Sequence, residues 1–115
     1  MIYVRLLSAV VASAGFVMFA ATPALAADAA RGQETYDRVG CALCHGSVGQ
    51  GPVSGPKLAP DPLPFVAIRD YIRAPAQIMP PYREATLSDE EIADIHAYLE
   101  SIPPAPDLED TILAE

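Results

Sequence analysis

The 115-residue sequence predicts an all-α domain with long irregular loops. Apolar residues recur at three- and four-residue spacing in three separate segments. The first and last of these segments begin on residues suited to capping a helix. No segment alternates apolar and polar residues as a half-buried strand would. The twelve prolines, all but Pro23 lying at Pro52 or beyond, divide the remainder into turns and loops.

The chain opens on a segment of a different kind. Arg5 precedes an apolar run from Leu6, and Thr22-Pro23 leads into Ala24-Leu25-Ala26. That order of basic, apolar and Ala-x-Ala regions predicts an export signal over residues 1–26, cut after Ala26. An uncleaved anchor is the rival, because Leu6 to Ala27 is nearly long enough to span a bilayer. Pro23 and the Ala-x-Ala site favour cleavage, so no membrane insertion is expected afterwards and the compartment is expected to be periplasmic. The formal charge is −8, and processing removes only the positive Arg5. Such an acidic surface argues against nucleic acid and anionic lipid as partners.

The expected organisation after the signal is one small domain at 27–102 and a Pro-rich acidic tail at 103–115, where Ile112 and Leu113 are the residues able to dock. So short and loop-rich a chain buries little apolar area against its conformational entropy and needs a staple. Cys41 and Cys44, its only cysteines, are too close in sequence to close a long loop. Something else must fill the core.

The first helix is expected over 28–39, with Asp28 at its start, Gly40 at its end, and Ala29, Gly32, Gln33 and Tyr36 on one face. Gly32 inside it costs about 1 kcal/mol relative to alanine, which close approach of a second helix would explain. Residues 46–64 are rich in glycine and proline and read as an ordered loop. Phe65, Ile68, Tyr71 and Ile72 then mark a middle helix that Pro75 stops. In the last helix Ser88 and Glu91 form a capping box, and Ile92, Ile95, Leu99 and Ile102 make the apolar stripe beside Tyr98. Pro103-Pro104 ends it.

Chemistry concentrates in Cys41-Ala42-Leu43-Cys44-His45. A thiol redox pair would need a sheet that this chain lacks. A structural zinc site would need a further ligand pair, and His96 is the only other histidine. The remaining reading is covalent attachment of haem, whose signature is C-x-x-C-H. Two thiols one helical turn apart can add to two vinyl groups on one porphyrin edge, and the next imidazole can reach the iron.

With these residues in place, the mature chain resembles the small class I cytochromes c along its whole length. The order of features is the family's: a helix with Gly32 and Tyr36, then Cys41 to His45, Gly55-Pro56-Lys57-Leu58, a middle helix, Met79-Pro80 and a capped last helix. The resemblance implies a cytochrome c-like fold of three main helices wrapped around one covalently attached haem c. It also implies a crossing of first and last helices that sets Gly32 against the Tyr98 and Leu99 region. Met79, the only methionine beyond the signal, is expected as the second axial ligand opposite His45. A core gap-filler is its ordinary alternative, and His96 is the rival ligand. The Pro56 carbonyl is expected to accept the free ring N–H of His45. Arg83, Tyr71 and Arg73 are candidates for the haem propionates.

A histidine- and methionine-ligated iron has no open position and suits electron transfer. The expected function is therefore an electron carrier and not itself an enzyme, working with redox partner proteins. It is either a free shuttle between a respiratory complex and an oxidase, or the electron-accepting subunit of a dehydrogenase or hydroxylase. Peroxidase or gas-binding activity is the alternative if Met79 leaves the iron open.

Overall fold

A computed structural model describes residues 26–52 and 54–106. The expected signal up to residue 25 and the docking of Ile112 and Leu113 lie outside the described residues. Four helices follow in order: α1 (Ala29–Arg38), α2 (Cys41–His45), α3 (Phe65–Arg73) and α4 (Asp89–Ser101). No strand occurs among the described residues. The all-α expectation holds, and the cysteine-bearing segment adds a short helix to the three main ones.

Asp28 caps α1 by accepting the Arg31 backbone N–H at 2.9 Å. Both halves of the α4 capping box form: Ser88 Oγ accepts from the Glu91 N–H at 3.1 Å, and Glu91 Oε2 accepts from the Ser88 N–H at 2.8 Å. Helix α3 has no side-chain cap and follows Pro64, ending one residue before Ala74-Pro75. Pro75 disfavours helical backbone at the residue before it, which accounts for the stop.

The most extensive helix–helix contact joins α1 to α4. A Cβ added at Gly32 would overlap the Asp94 backbone carbonyl and crowd the Ile95 nitrogen. The costly glycine is thus explained, although its partner lies a turn before the expected Tyr98 and Leu99. Tyr36 instead meets Tyr98, edge to face, with ring centroids 5.6 Å apart. The buried face of α1 is Gly32, Thr35 and Tyr36, while Gln33 is exposed. Closest approach at Gly32 sets the rotation of the helix, turning the i+3 and i+4 residues inward and i+1 away.

A polar link closes the same crossing. Asp94, itself buried, accepts from Arg31 Nε at 2.9 Å, from Arg31 Nη2 at 3.0 Å and from the Asp28 backbone N–H at 2.6 Å. The Arg31 hydrogen bond holds the Asp94 carboxyl below its usual range. Around this crossing Tyr36, Leu87, Ile92 and Leu99 are fully buried. Burial of each aliphatic side chain contributes about 1.5–3 kcal/mol. Tyr36, Ile95, Leu99 and Ile72 also border the cavity in front of α2.

Candidate functional site

Gly40, with φ of 88°, lies in the left-handed region and redirects the chain between α1 and α2. Helix α2 is little more than one turn, so Cys41 and Cys44 project from the same side. The following loop folds back onto its end. The Gly51 N–H donates to the His45 carbonyl at 2.8 Å, and the N–H groups of Ser54 and Gly55 donate to the Cys44 carbonyl at 3.1 and 2.9 Å. These bonds satisfy carbonyls that a helix C-terminus otherwise leaves unpaired.

The same loop fixes His45. Its Nδ1–H donates to the Pro56 carbonyl at 2.8 Å. Since a carbonyl can only accept, Nδ1 carries a proton, which in the neutral ring leaves Nε2 with the free lone pair. Gly55 lies flat against the ring: a Cβ there would come within 2.6 Å of Nδ1 and Cε1.

Cys41, Cys44, His45, Pro56 and Met79 all border one cavity of about 930 Å³. The five residues expected at the site therefore line one common space. Tyr71, one of three propionate candidates, also borders it, whereas Arg73 and Arg83 do not. Arg73 is committed elsewhere: it donates to the Tyr82 carbonyl at 3.0 Å and the Leu87 carbonyl at 2.8 Å, and pairs with Asp89. His96 lies off the cavity, with Nε2 donating to the Leu63 carbonyl at 3.0 Å and its ring against the edge of Phe65. Met79 thus lines the cavity with His45, whereas His96 does not.

Three tyrosine hydroxyls around α2 were not anticipated. Tyr82 donates to the Val39 carbonyl at 2.9 Å, just before the helix. Tyr36 donates to the Gly46 carbonyl at 2.8 Å and Tyr98 to the Ser47 carbonyl at 2.9 Å, just after it. Burial pushes all three phenols above the ordinary tyrosine range, so they remain donors. The available signal was the general need of a buried phenol for a partner. Which carbonyl would serve had no mark in the sequence.

The residues fit a haem better than the rival groups. The cavity is near the upper end of small-ligand pockets and offers two thiols, one free imidazole nitrogen and one thioether. No cluster of three or more His, Cys, Asp or Glu able to hold a metal ion occurs among the described residues. Burial pushes the Cys41 thiol up to about 11, opposite to the lowered value of a reactive redox cysteine.

An all-α fold closed around an apolar cavity, with C-x-x-C-H on its wall, defines a c-type cytochrome domain. A family model described as cytochrome c oxidase, cbb3-type, subunit III matches residues 27–99, and the chain belongs to that family. Membership makes it an electron-transfer domain that works through c-type haem. No curated protein and no solved structure matches the chain.

Proposed function

We propose that the chain is a class I cytochrome c: a one-electron carrier with a single haem bonded covalently to Cys41 and Cys44 and ligated by His45 and Met79. The observation that carries this reading is the convergence of those four side chains on one cavity, with His45 Nδ1 already engaged by Pro56. When bound, haem c supplies an iron that cycles between Fe(II) and Fe(III). The chain's own residues set the conditions. Pro56 holds the imidazole in one tautomer and makes it a stronger donor. A methionine ligand raises the potential relative to a second histidine. Leu58, Ile68, Ile72, Ile95 and Leu99 give the cavity an apolar wall.

The domain is read as exported, with residues 1–26 removed, residues 27–102 forming the cytochrome domain and 103–115 a tail. No helix among the described residues is long and apolar enough to cross a membrane. The partner is a larger redox protein. Leu43 and Ile78, at the cavity edge, are 78 % and 82 % exposed, which suits an apolar docking contact. The family's description supports an oxidase as that partner, and a dehydrogenase or hydroxylase is the second candidate.

The test is spectroscopic and compositional. Haem that survives acid-solvent extraction from the native holoprotein, and is released from Cys41→Ala/Cys44→Ala, is the expected result. The oxidised native protein should show the weak red absorption band of methionine-ligated haem, lost in Met79→Ala. Ready carbon monoxide binding by the reduced native protein would instead support an open iron. A large subunit co-purifying in stoichiometric amount identifies a dedicated complex; a lone monomer identifies a shuttle.

A further inference from the structure

The arm bearing Met79 joins α3 to α4 without a helix of its own. Pro80 and Pro81 follow Met79 directly, so neither offers an amide donor, and both hold φ near one value. Tyr82 is the first residue beyond Met79 that can anchor the arm by its N–H. It is fastened three times. Its N–H donates to the Ile72 carbonyl at 3.1 Å, its carbonyl accepts from Arg73 at 3.0 Å, and its hydroxyl donates to the Val39 carbonyl at 2.9 Å.

The first two bonds tie the arm to α3. The third spans 43 positions of sequence and reaches the residue two places before Cys41. We propose that Tyr82 is a positioning residue whose hydroxyl latches the Met79 arm to the start of the cysteine-bearing helix, holding Met79 at the iron. The inference rests on Met79 being the axial ligand. The stiff Pro80-Pro81 spacer carries the constraint from Tyr82 back to Met79. With both ends of the latch on cavity-lining segments, swinging Met79 outward requires breaking the Tyr82–Val39 bond.

Tyr82→Phe keeps the ring and removes only the donor. A net intramolecular hydrogen bond of ordinary strength corresponds to roughly a threefold to tenfold change in equilibrium constant. The red methionine–iron band of the oxidised holoprotein, followed against rising pH, should therefore disappear about half to one pH unit earlier in Y82F. Exchange of the Tyr82 amide should quicken by a similar factor. Tyr98→Phe is the control, because it deletes a hydroxyl-to-carbonyl bond of the same kind at the other end of α2 without touching the arm. Its midpoint should stay within about 0.3 pH unit of the native one, a twofold change in equilibrium constant. An unchanged midpoint in Y82F, or an equal shift in Y98F, overturns the latch while leaving Met79 as ligand. Absence of the band from the native holoprotein overturns the ligand assignment and the latch's role with it.

Discussion

His45 Nδ1 and the Pro56 carbonyl oxygen lie 2.8 Å apart, and the glycine before Pro56 presses on the same ring. Orientation, tautomer and donor strength of the imidazole thus depend on two consecutive loop residues that are distant from it in sequence.

Gly55→Ala tests that dependence. Its Cβ would fall 2.6 Å from Nδ1, so either the ring or the loop must move and the Pro56 bond is lost. Overpacking of this kind costs about 1–3 kcal/mol. A less electron-rich imidazole supports Fe(III) less well, so the reduction potential should rise. Denaturant titration and a redox titration of the holoprotein check the two effects, and an unchanged potential would disconnect the loop from the ligand.

Gly32→Ala should destabilise the domain although alanine favours helix by about 1 kcal/mol. The new methyl group meets the Asp94 backbone, which cannot rotate away as a side chain could. A net loss of about 1–3 kcal/mol is expected. A denaturation midpoint at or above the native value would contradict the crossing.

Asp94 sets an acid limit. Its native pKa is lowered, first by the Arg31 hydrogen bond, so the folded state binds its proton less readily than the unfolded chain. The stabilisation is fully present above the unfolded value of about 4 and is lost as pH falls below it towards the lowered native value. Asp94→Asn should be less stable than native at neutral pH and show a flatter decline under acid. Thermal melts from pH 7 to pH 3 measure both slopes.

Cys41 and Cys44 should prove separable. Either single Cys→Ala variant leaves one thiol beside the cavity, so its haem should resist acid-solvent extraction, whereas the double variant should release it. The pyridine haemochrome spectrum counts the remaining bonds independently, since each unreacted vinyl group shifts its bands. Complete release from a single variant would mean that only one cysteine is an anchor.

Much of this arrangement was legible in the residues themselves. The capping box, the glycine demanding a close neighbour, the C-x-x-C-H spacing and the isolated Met79 are local marks with local causes. What escaped had a partner elsewhere. Asp94 follows the acidic first turn of α4 and resembles a solvated carboxylate until Arg31, 63 positions earlier, is set beside it. Gln33 was expected inward because periodicity gives a helix's apolar face only broadly, while the Gly32 contact decides its rotation. Tyrosine hydroxyls bonding to backbone carbonyls leave no trace, because every residue offers the same carbonyl. Arg73 was a reasonable anion-binding candidate until the Tyr82 and Leu87 carbonyls claimed its guanidinium.

The α1–α4 crossing also sets an order of events during synthesis. The Asp28–Asp94 bond joins residues 66 positions apart, and loop closure must be met before that contact can form. A chain emerging amino end first therefore exposes Cys41 to His45 long before the helix that buries Tyr36 and ties down Ser47 exists. During that interval the two thiols stand on a stretch of polypeptide whose neighbour α1 still lacks its α4 partner. Arrival of α4 completes the crossing last, setting the Asp94 backbone against Gly32 and the Tyr98 ring against Tyr36.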